Sequence, residues 1–147
     1  MKGAVGMRYV SGLPALNLGD RGVTPGDWHH SAMDWEHPFT LDTADSPYGY
    51  WGIVDERVPG HGLMPVANHI RACLDMIHLG YFGDVQGMRE DFLADPATDG
   101  VVMRQVWKLR GGRDWSAIDA FMGREYSTRW LDYKQRQKTR TNGGETA

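Results

Sequence analysis

Residues 24–35, TPGDWHHSAMDW, gather side chains that could bind a metal ion or transfer a proton. Asp27, His29 and His30 place one carboxylate and two imidazoles close together, and imidazole is both a common metal ligand and a proton carrier near neutral pH. The stretch is equally typical of a buried corner, because Trp28 and the tryptophan seven positions later would share one face of a helix. We therefore expect Asp27 and His29 to support the core. A pocket lined by the three polar residues is the alternative.

The six histidines do not follow a metal-binding spacing. A helical metal site needs ligands four residues apart, and among histidine and cysteine residues only His69 and Cys73 have that spacing. Cys73 falls on an apolar stripe, and neither an HExxH motif nor a Cys-His tetrad occurs. The sequence therefore predicts no metal site and no cofactor.

The nucleophilic side chains also lack a catalytic context. Neither Ser11 nor Ser31 lies in the GxSxG elbow of a serine hydrolase. One enzyme-like pattern remains in RACLDMIH, where Arg71 and His78 are separated by six residues. This spacing resembles the R-x(4 to 6)-H motif of HEPN ribonucleases, whose two side chains meet at a dimer cleft. The resemblance implies a small ribonuclease, which is our alternative function, although HEPN domains are entirely helical.

The elements that must position these residues lie in two parts of the chain with different residue patterns. Residues 7–60 are rich in Gly and Pro, which favours short extended pieces and turns, whereas the apolar spacing changes to three and four after Pro65. Strands are predicted at 7–11, 14–18 and 50–58. Helices are predicted from Pro65 to a stop at Gly80, over 84–94, over 99–109, and from a cap at Asp114 along a stripe to Tyr133. We expect an α+β fold, with an irregular strand-containing N-terminal layer packed on a cluster of about four C-terminal helices.

Length and charge indicate one soluble domain. The chain has 147 residues, a net charge of −3 and one cysteine, and it contains no apolar run long enough to cross a membrane. We expect a disordered or mis-annotated start at 1–6, a single domain at 7–133 and a flexible basic tail at 134–147, where four bases accompany one acid. A cytoplasmic protein is expected. A nucleic acid is not the expected partner, because the net charge is −3 and no helix is basic along one face. The alternative for the basic tail is a docking arm for an acidic partner or a nucleic acid.

Five segments together resemble one family of small bacterial proteins: MRYVSG, LPALNL, GDWHHSAMDW, VANHIRACLDM and IDAFMGREYSTRWLDYK. The shared pattern is MRYxxGxxALNL, GDWH and ANHIRA, and it covers about residues 7–134. The family is associated with antitoxins encoded beside toxins, including toxic small alarmone synthetases. Where the family has a short cysteine-bearing segment after ALNL, this chain has GDRGVTP, which puts any role of that cysteine in doubt.

The resemblance implies a protein without catalytic residues that neutralises its cognate toxin by direct binding and covers a nucleotide-using active site. It also implies a homo-oligomer or a heterotetramer with the toxin. Motif residues are expected to be structural: Asn17, Asp27, Trp28, His29, His69 and Arg71. Six aromatic residues in or near loops are the candidates for binding the partner, and some of them are expected to be exposed, unless all belong to the core: Tyr48, Tyr50, Trp51, Tyr81, Phe82 and Trp107.

Overall fold

The N-terminal half contributes a four-stranded mixed sheet. A computed structural model describes residues 6–18, 30–93 and 95–145. The strands are β1 (Arg8–Val10), β2 (Thr40–Asp42), β3 (Ile53–Val58) and β4 (Gly62–Ala67), in the spatial order β2-β1-β4-β3. β1 is antiparallel to β2 and parallel to β4, while β3 and β4 form an antiparallel hairpin paired over all six residues of each strand.

Seven helices are described along with the sheet. They are α1 (Gly12–Leu16), α2 (His69–Leu79), α3 (Phe82–Val85), α4 (Met88–Asp91), α5 (Thr98–Trp107), α6 (Trp115–Tyr126) and α7 (Thr128–Glu145). Two short 3-10 turns cover His30–Ala32 and Thr43–Asp45. The predicted α+β class is confirmed, with the sheet in the N-terminal half and the longer helices after it.

Helix α2 is the centre of the fold. Its N-cap residue, Asn68, accepts a hydrogen bond from the Arg71 backbone N–H at 2.9 Å, and it ends at Gly80, whose φ of 85° is a left-handed conformation that glycine adopts without a side-chain clash. Eight of its eleven residues are buried, including Cys73 on the predicted apolar stripe. The predicted end at Gly80 is therefore confirmed, and polar side chains on this helix must find partners inside the protein.

Two predictions around proline were wrong. Residues 14–18 are not a strand, because Pro14 lies in the first turn of α1. Proline is tolerated there, since a backbone N–H in the first turn has no partner within the helix. Pro65 does not begin a helix but lies in β4 opposite Asp55. β1 pairs with β4 only at Val66, so β4 is locally an edge at Pro65 and tolerates the missing donor.

The C-terminal helices are more divided than the sequence predicted. The segment 84–94 is interrupted between α3 and α4, and the stripe from residue 115 to 133 is split at Ser127, which has a φ of 51°. Residues 98–107 form α5 close to the predicted bounds. The basic segment that begins at residue 134, expected to be a flexible tail, continues α7 as a helix to Glu145. Within the described ranges, no helix is both long and apolar enough to cross a membrane.

Candidate partner-binding site

Four buried polar side chains connect the first strand to the central helix. The hydroxyls of Tyr9 and Ser11 each donate to Oδ2 of Asp75 at 2.7 Å, and Nε of Arg71 donates to Oδ1 of the same carboxylate at 2.9 Å. All four residues are at most 2% exposed. We call this set the buried network. It joins the MRYVSG motif to the ANHIRACLD motif, so both motifs serve the same internal structure.

Arg71 uses its remaining donors on a loop. Nη1 donates to the backbone oxygens of Gly49, at 2.8 Å, and of Trp51, and Nη2 donates to the hydroxyls of Tyr9, at 2.9 Å, and Ser46, at 3.0 Å. Together with the bond from Nε, these contacts use all five N–H donors of the guanidinium. The side chain therefore clamps the loop at 46–52, SPYGYWG, which we call the aromatic turn.

The surroundings of Arg71 suit a buried cation. Asp75 supplies the opposite charge at hydrogen-bonding distance, and the guanidinium carbon lies 4.9 Å from the ring centroid of Tyr9 and 5.7 Å from that of Tyr48. Burial raises the pKa of both tyrosine hydroxyls, and the nearby Asp75 carboxylate adds to the rise. Both tyrosines consequently stay neutral, and the Tyr9 hydroxyl remains a donor, throughout the physiological pH range.

The aromatic turn is also fixed at its two sides. The Tyr48 hydroxyl donates to the backbone oxygen of Gln105 in α5 at 3.0 Å, and the Asn68 backbone N–H donates to the oxygen of Gly52 at 2.7 Å. Gly52 has a φ of 77°, and a Cβ added there would lie 2.7 Å from the Cβ of Arg71. Only glycine fits at this close approach of the turn to α2.

The turn presents two aromatic side chains outward. Tyr50 is 59% exposed and Trp51 is 39% exposed, although their neighbour Tyr48 is buried beneath them. Large aromatic side chains on a loop whose backbone is already fixed lose little conformational entropy when a partner covers them. The two exposed rings are therefore displayed on a backbone that is already fixed.

The six predicted partner-binding residues do not form one surface. Tyr48, one of the six candidates, is buried, because its ring packs near Arg71 and its hydroxyl bonds to α5. Phe82 is half-buried and stacks on Phe121 with ring centroids 5.1 Å apart. Trp107 is half-buried in a separate ring cluster with Trp115, Trp130 and Tyr133.

Tyr81 is exposed, but it lies beyond the opposite end of α2 from the aromatic turn. Arg71 and Tyr81 are ten residues apart, which along a helix is about 15 Å. There Tyr81 meets Phe39 edge to face, with ring centroids 6.5 Å apart, at a groove of about 400 Å³ that Met33 and Met76 also line. Tyr50 and Trp51 are thus the two predicted residues that share one exposed turn.

The predicted structural residues are placed inside the protein wherever they are described. Asn17 is fully buried and its side-chain amide donates to the Leu13 oxygen at 2.8 Å. His69 is buried, with Nε2 2.7 Å from the Leu18 oxygen and Nδ1 3.4 Å from the Phe92 oxygen. Arg71 anchors the buried network. Asp27, Trp28 and His29 lie outside the described residues.

The arrangement of Arg71 does not suit the ribonuclease alternative. Its guanidinium is fully buried and has no donor left for a phosphate, whereas His78, seven positions along α2, is half-buried and lines a different pocket. Cys73 is fully buried, and burial raises the pKa of its thiol, which keeps it in the unreactive protonated form. Among the residues with described positions, no three His, Cys, Asp or Glu side chains are grouped to hold a metal ion.

Sequence reasoning did not name four members of this site as site residues: Tyr9, Ser11, Ser46 and Asp75. Asp75 follows Arg71 by four residues on a predicted helix, which is the spacing of an ion pair, and that signal could have identified it. Ser46 gives no such signal, because it meets Arg71 only through the path of the chain between β2 and β3.

Comparison with protein-family models gives no match, and neither do comparisons with curated proteins and with solved structures.

Proposed function

We propose that this protein is an antitoxin that neutralises a co-encoded bacterial toxin by direct binding, with the aromatic turn at the centre of the interface. The observation that carries the proposal is the clamp of Arg71 on the turn, which fixes the backbone that displays Tyr50 and Trp51. Tyr and Trp are the side chains most often found as energetic anchors of protein interfaces. A rigid display of two such anchors serves recognition of another protein better than it serves packing of this one.

The resemblance of the sequence motifs supports the nature of the partner. MRYVSG and VANHIRACLDM resemble segments of a family associated with antitoxins, and here these segments supply Tyr9, Ser11, Asn68 and Arg71, which build the support of the turn. Motif residues of this kind preserve a binding surface without touching the partner. The proposed partner is a toxin of the small alarmone synthetase type, covered at its nucleotide-using active site in the cytoplasm, in a heterotetramer or around a homo-oligomer of this protein.

A cell-protection assay tests the proposal. The toxin reading frame beside this gene is expressed in bacteria together with this protein, and colony formation is counted for the unchanged chain, for Tyr50→Ala/Trp51→Ala and for Leu131→Ala. Leu131 is the matched control, because it is also a large exposed apolar side chain, 54% exposed, but lies on α7. We expect protection to be lost only in the Tyr50/Trp51 variant.

Two results would contradict the proposal. If the adjacent product is not toxic, or if the unchanged chain does not relieve its toxicity, the protein is not its antitoxin. If the Tyr50/Trp51 variant is present at normal levels with an unchanged circular dichroism spectrum and still protects fully, the aromatic turn is not the binding surface.

A further inference from the structure

The fold brings two basic segments together that are distant in the sequence. Residues 100–113 and 133–140 contain eight of the sixteen Lys and Arg residues of the chain and no Asp or Glu. The rest of the chain is consequently strongly acidic, since the total charge is −3. The first segment covers most of α5 and the loop after it, and the second lies on α7.

Two aromatic rings join these segments. Trp107 of α5 and Tyr133 of α7 meet edge to face with centroids 6.2 Å apart, and both residues are only partly buried. One face of the Tyr133 ring stacks on Trp130, with centroids 5.8 Å apart. Arg104 precedes Trp107 by one helical turn, and Arg136 follows Tyr133 by one, so each arginine lies on the same helix face as the ring beside it.

Two further arginines complete the surface. The guanidinium carbon of Arg110 lies 4.7 Å from the ring centroid of Trp107, and Arg140 is two turns after Tyr133. Burial raises the pKa of the Tyr133 hydroxyl, and Arg104, Arg140, Arg110 and Arg136 all oppose that rise, which shows that the four positive charges act at one place. We call these four arginines with Trp107 and Tyr133 the basic-aromatic patch.

Of the four arginines, only Arg110 has a side-chain hydrogen bond among the described residues, from Nη1 to the backbone oxygen of Trp107 at 2.9 Å. All four are exposed, and no ion pair links any of them to a carboxylate within 6–18, 30–93 or 95–140. Two other arginines of the helical half, Arg89 and Arg129, do have such a partner, since both pair with Asp99. Uncompensated like charges repel one another, so their concentration on one surface favours a polyanionic ligand.

We propose that the basic-aromatic patch binds a single strand of nucleic acid, with the arginines on the phosphates and the accessible parts of the two rings against bases. Clustered arginines interleaved with aromatic rings are the means by which proteins hold single strands, because the cations follow the backbone and every base has a face that can stack. The sequence disfavoured a nucleic acid because the net charge is −3 and no helix is basic along one face. The patch exists only where α5 and α7 meet.

The test is the binding of fluorescein-labelled 20-nucleotide single strands of RNA and DNA to the full chain, followed by fluorescence anisotropy at several salt concentrations. The variant is Arg136→Gln/Arg140→Gln. The control is Arg8→Gln/Arg57→Gln, which changes the net charge equally at two exposed arginines of the sheet. Loss of two phosphate contacts should lower the slope of log affinity against log salt by about 1.4, and the affinity at 0.1 M salt by roughly 25-fold. The control should change neither value.

Other polyanions decide whether the ligand is a nucleic acid. Poly-glutamate and inorganic polyphosphate of matched charge are added as competitors, and we expect both to compete more weakly than the unlabelled strand, because they cannot stack on Trp107 and Tyr133. Equal competition by either polyanion would overturn the proposal, as would equal losses in the two double variants. Absence of binding to both strands at 0.1 M salt would overturn it as well.

Discussion

Replacing Arg71 by methionine should destabilise the protein severely, because it removes one partner of a buried ion pair. The variant keeps most of the side-chain volume but leaves the Asp75 carboxylate, which is 2% exposed, with only the hydroxyls of Tyr9 and Ser11 as donors. Breaking a buried pair from one side costs about 3–5 kcal/mol. A domain of this size has a total stability of roughly 5–15 kcal/mol, so the loss is a large fraction of it.

Urea unfolding followed by far-ultraviolet circular dichroism measures this cost. With a urea dependence of about 2 kcal/mol per M, the midpoint should fall by roughly 2 M. Arg57→Met is the control, because Arg57 is exposed on β3, and it should change the free energy of unfolding by less than about 0.5 kcal/mol.

A second variant identifies the cause of the loss. In the double variant Arg71→Met/Asp75→Leu no charge is left unpaired, so its cost should be smaller than the sum of the two single costs. If Arg71→Met costs less than about 1 kcal/mol, or if the two single costs simply add, Arg71 does not hold the buried network together.

Three further changes test neighbouring parts of the structure. Gly52→Ala should lower the free energy of unfolding by at least about 1 kcal/mol more than Gly49→Ala. Both glycines have positive φ, but only at Gly52 would the new Cβ meet Arg71. Equal costs would show that the close approach of Gly52 to Arg71 does not restrict this position. Ser127→Gly should raise the melting temperature by roughly 2–4 °C, because a non-glycine residue with φ 51° and ψ −128° is strained by about 1 kcal/mol. A lowered melting temperature would show that no strain is present at this residue. Partial burial raises the pKa of Asp119, but hydrogen bonds from Lys134 and Trp130 outweigh this effect and hold the pKa below its ordinary value. The ionised carboxylate therefore stabilises the fold above pH ~4. This contribution is lost as the pH falls through the lowered pKa. Asp119→Asn should therefore unfold more easily than the unchanged protein at pH 7, by about 1 kcal/mol, and the difference should shrink on acidification; a difference that grows below pH 4 would contradict this sign.

Periodic segments of the sequence predicted their structure well. The apolar spacing of residues 66–77 identified α2 and its end at Gly80, and the spacing around Val102 and Val106 identified α5. These predictions succeeded because a helix buried on one face must repeat its apolar residues every three or four positions. Pro65 shows the limit of the method, since its place in β4 depends on how short β1 is.

The candidate site was predictable only in part. Aromatic content indicated the turn SPYGYWG as a candidate interface, but it could not show that Tyr48 lies inside while Tyr50 and Trp51 lie outside. Their directions depend on hydrogen bonds from Arg71, which is about twenty residues away in the chain. The motif residues themselves were identified as structural from the sequence, and Asn17, His69 and Arg71 are indeed buried.

The affinity of the purified protein for the proposed toxin partner, measured by isothermal titration calorimetry, tests the central claim most directly. Trp51→Ala should weaken binding by about 2 kcal/mol or more, which is a factor of roughly 30, because Trp51 is proposed as an interface anchor on a backbone that Arg71 holds in place. Leu131→Ala should stay within about threefold of the unchanged protein, since a single exposed side chain outside the interface contributes little. A correctly folded Trp51→Ala protein that binds the toxin with unchanged affinity would contradict the account.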